Sequence, residues 1–299
     1  MGEKRKIRFV ANPFSGLNKK RNLGNKIEQH LDHSRFDFEL EYTKEAGHAV
    51  ELAREAAKRG YYMVVAAGGD GSVNEIAEGL IGSNTILGIL PCGSGNGFAT
   101  HLGIDRNLGR AIRLLNDGKV VEIDTCLMDE KPFVNLAGIG FDALIAYKIK
   151  GSKLRGIIGY LKHTLGEALS YKMQDFDIHI DEKKIKRSCL VVEVANAPMY
   201  GYGVVIAPCA SLDDGKLDVV IIKKAPKWRY VLESWRLINN SLHESSLSEC
   251  YSAREVTVFP SYPTAVHVDG EGYLVNNSPI TFKVNPSSLK VLCPKSYIA

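Results

Sequence analysis

The arrangement of short apolar runs in the first 125 residues constrains the fold more than any other feature of the sequence. Three runs, at 6–11, 62–67 and 86–90, are short and apolar enough to be buried strands. The segments between them place apolar residues three or four positions apart, as an amphipathic helix does. Strands that alternate with helices in this way predict a mainly parallel sheet with helices on both faces.

A glycine-rich loop follows each of these three strands and leads towards a helix. The loops are Asn12–Gly16, Gly68–Ser72 and Pro91–Gly97. In a parallel sheet all three lie at the carboxyl ends of the strands, where such folds bind ligands. Glycines let the backbone approach a phosphate closely, and helix N-termini offer N–H groups and partial positive charge. One such loop is often only a connection, but three at one edge predict a phosphate site. The Walker sequence GxxxxGK[ST] is not present.

Asp70 is the most informative acid in this part of the chain. It stands between glycines at the mouth of the predicted phosphate site. An acid there can bind Mg²⁺ through water or face the reacting hydroxyl, and it can also cap the following helix. Glu75, one helical turn further on, either supports the same site or is a solvated acid of the first turn.

After residue 125 the pattern changes to that of antiparallel strands. Apolar and polar residues alternate over Phe176–Ile180, and the next charged residues, Glu182–Lys184, are typical of a hairpin turn. Further strands are predicted near 217–222, 253–259, 264–268, 280–284 and 288–292. Helical segments near 156–172 and 227–242 interrupt them. We therefore predict an α/β domain over 1–125 and a mainly antiparallel β domain over 126–299.

Two acids flank a glycine in the second domain, at Asp269-Gly270-Glu271. Phosphoryl transfer needs a group that orients the acceptor hydroxyl and accepts its proton. Asp269 or Glu271 could do so if the two domains face each other across a cleft. Asp-Gly is also a common hairpin turn, so the motif alone does not decide between these roles.

Composition limits the kinds of binding partner and the cellular compartment that the sequence predicts. A formal net charge of +4 over 299 residues fits attraction to anionic lipid or phosphate, and no basic block is long enough to predict nucleic-acid binding. Six scattered cysteines without a CxxC pair predict buried, reduced thiols. The first residues lack the apolar core of a signal peptide, and no stretch is long and apolar enough to span a membrane. We therefore expect a cytoplasmic protein that contacts the inner surface of the membrane and does not span the bilayer.

Seven segments in the same order along nearly the whole chain resemble the lipid kinase family of diacylglycerol kinases, sphingosine kinases and their bacterial relatives. The most specific is GGDGSVNE, in which Ser72 stands where the family pattern GGDGT-x-NE has threonine. Thr43 resembles the threonine of the family's nucleotide-contacting GHA element. The complete set is Asn12–Gly16, Thr43–Ala49, Gly68–Glu75, Gly93–Asn96, Phe133–Ala143, Tyr200–Asp218 and Asp269–Glu271.

This resemblance implies a fold and a reaction. The fold would be an N-terminal α/β nucleotide-binding domain and a C-terminal antiparallel β-sandwich lipid-binding domain. The last stretch of the chain could return to the first domain. The reaction would move the γ-phosphoryl group of ATP, with Mg²⁺, to a hydroxyl of diacylglycerol, a sphingoid base or a similar lipid at the membrane surface. The oligomeric state is not fixed by the sequence, and a homodimer remains one alternative.

The resemblance also assigns residues to the reaction. Asp269 or Glu271 would be the general base, with Asp70 close by. The residues implied to contact nucleotide are Asn12, Pro13, Phe14, Ser15, Gly16, Thr43, Gly68, Gly69, Asp70, Gly71, Ser72, Glu75, Gly93, Ser94 and Asn96.

A metal site is implied in the segment that follows Tyr200. Ser211, Asp214 and the Lys216 carbonyl would bind Mg²⁺ in a structural or regulatory role, because oxygen ligands suit that ion. The same segment, viewed alone, predicts an Asp-Gly turn before a strand.

Alternatives remain open on substrate and on catalysis. Many bacterial diacylglycerol kinases have an acid after the asparagine of the third loop, but here Asn96 is followed by Gly97, which is closer to the sphingosine-kinase form. GGDG loops also occur in NAD kinases and phosphofructokinases, which act on soluble substrates. A nucleotide-binding regulator without catalysis is a third alternative. The segment 156–172 is either a lipid entrance that touches the membrane or an ordinary helix of the core.

Overall fold

The chain folds into two units, and one of them contains residues from both halves of the sequence. Met1–Thr125 and Ser287–Ala299 form the first unit, and Cys126–Pro286 forms the second. The computed structural model describes residues 3–13, 22–149, 164, 166–167 and 170–298.

The first unit alternates strands with helices as the sequence predicts. Its strands are β1 (Arg5–Ala11), β2 (Phe36–Tyr42), β3 (Met63–Gly68), β4 (Ile86–Pro91) and the first part of β5 (Lys119–Met128). Its helices are α1 (Leu23–His30), α2 (His48–Lys58), α3 (Asp70–Leu80), α4 (Gly97–His101) and α5 (Leu108–Asp117).

The second unit consists mainly of strands. They are β6 (Lys131–Phe133), β7 (Leu136–Gly140), β8 (Gln174–Ile180), β9 (Lys183–Ala195), β10 (Leu217–Lys223), β11 (Ser248–Ala253), β12 (Glu255–Pro260), β13 (Thr264–Val268), β14 (Glu271–Val275) and the first part of β15 (Ile280–Cys293). Its α-helices are α6 (Phe141–Ile149), α7 (Lys227–Glu233) and α8 (Trp235–Ile238).

A parallel sheet in the order β2-β1-β3-β4 forms the centre of the first unit, and the second part of β15 adds a further parallel strand beside β4. Every residue of β3 and β4 is buried, as expected where helices cover both faces of a parallel sheet. The strand register pairs Ala11 with Ala67 and Gly68 with Pro91. Because these strand ends are aligned, the loops that follow them emerge at one edge of the sheet.

Antiparallel pairing dominates the second unit. Its strands follow the order β14-β13-β7-β9-β8-β12-β15, and β10 and β11 join through β9. Apolar side chains that alternate along these strands form a core around Phe133, Phe176, Val256 and Phe282. The prediction of a parallel α/β part followed by an antiparallel β part is therefore confirmed.

Several element boundaries differ from the sequence prediction. The helix expected over 227–242 ends at Glu233 and resumes at Trp235, where the Ser234 hydroxyl donates to the Val231 carbonyl at 2.8 Å. The strands expected at 280–284 and 288–292 are one strand, β15. The strand expected over 253–259 is divided between β11 and β12. Most of the predicted segment 156–172 lies outside the described residues.

The six cysteines are all free thiols. Cys92, Cys126 and Cys189 are buried, as is Cys293 near the end of the chain. The expectation of burial is wrong for the remaining two, at positions 209 and 250, which are exposed. Within the described ranges, no helix combines the length and apolarity needed to cross a bilayer.

Candidate functional site

Two of the three glycine-rich loops meet backbone to backbone at the edge of the parallel sheet. The N–H groups of Cys92 and Gly93 donate to the Gly68 carbonyl at 2.8 and 3.1 Å. A Cβ atom added to Gly93 would lie only 2.5 Å from the Gly69 Cα atom. A Cβ atom added to Gly69 would lie 3.2 Å from the Gly93 Cα atom, which is a tight contact. Gly93 therefore requires glycine, and the two loops touch through their backbones.

Asp70 connects the surface of these two loops to the next helix. It is the first residue of α3, and its Oδ1 atom accepts a hydrogen bond from the Phe98 N–H at 3.2 Å. The N-cap position of α3 belongs to Gly69, which makes no side-chain cap. The carboxylate of Asp70 is therefore held by the start of α4 rather than by its own helix.

Asn96 shapes the third loop through its own side chain. Its backbone is left-handed, with φ of 48°, a conformation that asparagine tolerates better than most residues. Oδ1 accepts from the Gly93 N–H at 2.9 Å, and Nδ2 donates to the Gly93 carbonyl at 2.7 Å. Arg106 donates to the Gly95 carbonyl at 2.5 Å. The side-chain amide of Asn96 is thus occupied by hydrogen bonds within the loop. Backbone groups of the loop and the Ser94 hydroxyl remain to contact a ligand.

The first turn of α3 is the open part of the surface. Gly71 is exposed, and no atom lies within 4 Å of a Cβ added there. Ser72 and Glu75, in the same two turns, are partly exposed. The first N–H groups of a helix have no acceptor within the helix and attract anions. This turn can therefore receive a phosphate group.

The remaining predicted nucleotide contacts lie near the ends of β1 and β2. Asn12 and Pro13 follow β1, whereas Phe14, Ser15 and Gly16 lie outside the described residues. Thr43 is buried, and its N–H donates to the Ala11 carbonyl at 3.0 Å. These contacts fix the backbone beside the glycine-rich surface.

In the second unit, Asp269 and Gly270 form the tight turn between β13 and β14. Both have positive φ, at 46° and 83°. The Asp269 carboxylate accepts hydrogen bonds from three consecutive backbone N–H groups, those of residues 134, 135 and 136, at 2.9–3.0 Å. Glu271 begins β14 and is exposed. Asp269 thus holds the turn in place, while Glu271 presents its carboxylate to solvent.

Beside this turn lies a buried cluster of charged side chains that sequence reasoning missed. His267 Nε2 is 3.0 Å from Asp142 Oδ2 and 3.2 Å from Glu193 Oε1. The Tyr200 hydroxyl donates to Asp142 Oδ2 at 3.1 Å. All three charged residues are buried. This network joins α6, β9 and β13.

Gly138 of β7 makes the cluster possible. It pairs with Glu193 on one side and with His267 on the other. A Cβ atom on Gly138 would lie 2.2 Å from Glu193 Oε2 and 2.9 Å from His267 Nε2. Because glycine carries no side chain, the two flanking side chains meet over the middle strand. The sequence signals were indirect: a glycine at position 138 and single polar residues at positions 142, 193 and 267 in largely apolar segments.

Burial and neighbouring charges change the pKa of each group in the cluster. Burial raises the pKa of Glu193 to about 8, because the charged form loses its hydration. Burial also opposes ionisation of Asp142, but the His267 imidazolium outweighs it and lowers the pKa of Asp142 well below its usual value. Burial opposes the charge on His267 too, yet the carboxylates of Glu193 and Asp142 raise its pKa well above the ordinary value. At neutral pH the cluster is therefore an Asp142–His267 ion pair beside a protonated Glu193.

The same cluster has the composition of a metal site, since its three ligand atoms lie within 4.8 Å of one another. Its nitrogen–oxygen distances of 3.0–3.3 Å are those of hydrogen bonds. Two further polar atoms of the cluster, His267 Nδ1 and Asp142 Oδ1, are buried without a hydrogen-bond partner among the described residues.

The segment predicted to bind Mg²⁺ forms a turn. Ser211 Oγ donates to Asp213 Oδ1 at 2.8 Å, and the Lys216 N–H donates to Asp214 Oδ1 at 3.0 Å. Gly215 has φ of 69°. The turn expected from the sequence is thus present, and the oxygens of Ser211 and Asp214 take part in its hydrogen bonds.

Two family models match consecutive parts of the chain. The diacylglycerol kinase catalytic domain matches residues 6–128, and the YegS C-terminal NAD kinase beta sandwich-like domain matches residues 135–293. The second match covers more than half of the chain and confirms the predicted β-sandwich.

Several relatives that match most of the chain carry kinase names. A diacylglycerol kinase of Bacillus subtilis is 29% identical over 277 residues, which cover 89% of this chain and 90% of that protein. A protein of Klebsiella pneumoniae named Probable lipid kinase YegS-like is 35% identical over 191 residues, which cover 62% of this chain and 64% of that protein. The solved structure of a diacylglycerol kinase of Bacillus anthracis has a TM-score of 0.74 at 19% identity and covers 100% of both chains, a likeness of fold.

Removing the histidine of the buried cluster should destabilise the protein strongly. His267→Ala leaves the Asp142 carboxylate buried without its cation, so we expect the free energy of unfolding to fall by about 3–5 kcal/mol. Urea denaturation followed by circular dichroism measures this loss. Wild-type stability in His267→Ala would contradict the ion pair.

Glu193→Gln is the matched control, because glutamine imitates the protonated acid. The folded pKa of Glu193 lies above its unfolded value, so wild type loses stability as pH rises from about 4.5 to about 8. We expect the variant to be as stable as wild type near pH 4.5 and increasingly more stable towards pH 8. A constant difference across that range would show that Glu193 does not keep its proton.

Proposed function

This chain belongs to the lipid kinase family defined by the diacylglycerol kinase catalytic domain and the YegS C-terminal domain, and on that premise we propose that it transfers the γ-phosphoryl group of ATP to a hydroxyl group of a membrane lipid. The acceptor is diacylglycerol, a sphingoid base or a lipid of similar chemistry. The names of the relatives support a lipid acceptor, and the reaction takes place at the inner surface of the membrane.

The observation that carries this proposal is the continuous glycine surface at the edge of the parallel sheet. The contact between Gly69 and Gly93 brings two loops together, and the open first turn of α3 stands beside them. Backbone N–H groups with no side chain in front of them bind phosphate oxygens without sequence-specific contacts. We assign the nucleotide phosphates to this surface.

Asp70 is the proposed acid of the nucleotide site. Its hydrogen bond from Phe98 fixes the carboxylate at the start of α3. Carboxylate and water oxygens are the ligands that Mg²⁺ prefers, so Asp70 fits an ion held beside the phosphates. Such an ion neutralises the charge that develops during phosphoryl transfer. Glu75 supports the same site from the next turn.

The turn at residues 269–271 is the proposed source of the general base. The acceptor oxygen attacks the γ-phosphorus, the bond to the β–γ bridging oxygen breaks, and the acceptor proton passes to a carboxylate. Glu271 is exposed, whereas Asp269 would have to give up three backbone hydrogen bonds. We therefore assign the proton transfer to Glu271 and the positioning of the turn to Asp269.

A second Mg²⁺ site is proposed at Ser211, Asp214 and the Lys216 carbonyl. The oxygen donors suit the ion, and the turn keeps them within a few residues of one another. Its role would be structural or regulatory.

Gly71→Ala separates nucleotide binding from stability. The added methyl group meets no protein atom within 4 Å, and alanine favours helix over glycine by about 1 kcal/mol, so stability should not fall. The same methyl group would occupy the space assigned to phosphate, and we expect ATP affinity to fall by about tenfold or more. Isothermal titration with ATP and Mg²⁺ measures the affinity.

Gly24→Ala is the control for this experiment. Gly24 lies inside α1, where a Cβ atom would make an ordinary contact of 3.9 Å with Leu40. The variant should keep both stability and ATP affinity. Unchanged ATP affinity in Gly71→Ala would remove the first turn of α3 from the phosphate site.

Substitutions in the turn distinguish the two acids. Glu271→Gln should reduce turnover by about 10²-fold or more at unchanged stability and ATP affinity, because only the proton acceptor is lost. Asp269→Asn should reduce stability as well as turnover, because an amide cannot accept the same set of N–H bonds with its nitrogen. Full turnover in Glu271→Gln, together with an inactive but stable Asp269→Asn, would assign the base to Asp269.

Transfer of ³²P from γ-labelled ATP into a total lipid extract tests the function itself. We expect labelled lipid in the organic phase when Mg²⁺ and mixed micelles are present, and chromatography then identifies the acceptor. Label only in a water-soluble product would show a kinase for a soluble substrate. ATP binding without transfer to either phase would favour a nucleotide-binding regulator.

A further inference from the structure

The helical segment at 227–238 exposes the most apolar surface in the described part of the second unit. Trp228, Val231, Leu232 and Trp235 are 61%, 73%, 63% and 51% exposed. Trp228, Val231 and Leu232 share one face of α7, because they are three and four residues apart. Ser234 keeps right-handed helical dihedral angles, with φ of −60° and ψ of −27°, so Trp235 at the start of α8 continues the same face. Isolated exposed apolar residues are ordinary, but four on one face form a contiguous patch of the kind that marks an interaction site. We call these four residues the tryptophan face.

The opposite side of the segment attaches it to the second unit. The Tyr230 hydroxyl donates to the Lys223 carbonyl at 2.7 Å and accepts from the Ala225 N–H at 2.7 Å, while its ring packs on a buried apolar cluster. Glu233 pairs with Arg229 at 3.3 Å and with Arg236 at 3.5 Å. Polar contacts and the Tyr230 ring thus hold this side of the segment, while the four residues of the tryptophan face are exposed.

Two exposed lysines flank the tryptophan face. The other basic residues of this stretch, Lys223, Arg229 and Arg236, form ion pairs with Glu249, Glu233 and Glu244. Lys224 and Lys227 are exposed. An apolar face with tryptophan and a basic margin is the composition of a helix that lies in the interface of an anionic bilayer.

We propose that the tryptophan face inserts into the headgroup region of an anionic lipid bilayer and holds the protein at its surface. Tryptophan suits this position because its ring is apolar while its N–H remains in contact with water and headgroups. The positive margin complements anionic headgroups, which selects a bilayer over an apolar protein groove. This inference rests on the proposed function and deepens it, because it assigns the membrane contact to α7 and α8 rather than to segment 156–172.

The chain contains two tryptophans, both in this face, so tryptophan emission reports on it alone. Vesicles of phosphatidylglycerol and phosphatidylcholine should shift the emission to the blue, and brominated acyl chains should quench it. Pure phosphatidylcholine vesicles and high salt should weaken both effects, because attraction between exposed charges is screened. Emission that anionic vesicles leave unchanged would overturn the proposal.

Substitutions in and around the tryptophan face test whether these residues make the membrane contact. Val231→Ser with Leu232→Ser keeps both tryptophans and should weaken sedimentation with anionic vesicles by about tenfold or more. Lys224→Glu with Lys227→Glu should weaken binding to anionic vesicles and leave binding to neutral ones unchanged. Tyr262→Ser, at a 65% exposed aromatic residue outside the segment, is the matched control and should bind as wild type does. Circular dichroism confirms that each variant is folded.

Two measurements separate this inference from the proposed function. One is vesicle binding in the absence of ATP, and the other is phosphoryl transfer in mixed micelles. Vesicle binding without transfer to lipid would overturn the proposed function and leave the tryptophan face as a membrane contact. Transfer in micelles, with equal vesicle binding by wild type and Val231→Ser/Leu232→Ser, would overturn the tryptophan face and keep the function. Emission that shifts to the blue with protein concentration alone would assign the face to a second copy of the chain, and would also overturn the proposal.

Discussion

The contact between the backbones of Gly69 and Gly93 is the constraint on which the nucleotide surface depends. It exists because β3 and β4 are parallel, in register and fully buried, so that their following loops begin at the same level. A side chain on Gly93 would push the loops apart by its collision with the Gly69 Cα atom. Asp70 and Asn96 add hydrogen bonds to the arrangement, but they act on loops that the strands have already brought together.

In the second unit a glycine also allows a close approach, here between two polar side chains. Gly138 lies between Glu193 and His267 in register, and the missing side chain lets two polar groups meet within a β core. Replacing a buried ion pair of this kind by apolar groups is often neutral, whereas removing one partner leaves an uncompensated buried charge. The strands β7, β9 and β13 are thereby fixed next to the turn that contains Asp269.

Local sequence patterns predicted the fold well because each parallel strand and its glycine-rich loop are contiguous. They predicted the candidate site less completely. The Asp-Gly turn was visible, but the three N–H groups that Asp269 accepts belong to residues 134–136, and nothing near Asp269 indicates them. Glu193 and His267 are each a single polar residue within an apolar run, and only the register of three strands brings them together. The interruption at Ser234 is a local event, where the hydroxyl donates to the Val231 carbonyl, and periodicity does not detect it.

The path of β15 has a consequence for how the protein is made. Val291 pairs with Leu87, so the parallel sheet of the first unit receives this strand only after the whole second unit has been synthesised. On the ribosome, the edge of β4 stays without that neighbour while about two hundred further residues emerge. An open strand edge is prone to pair with other chains. Completion of the first unit is therefore a late, long-range event, even though its glycine loops are encoded early in the message.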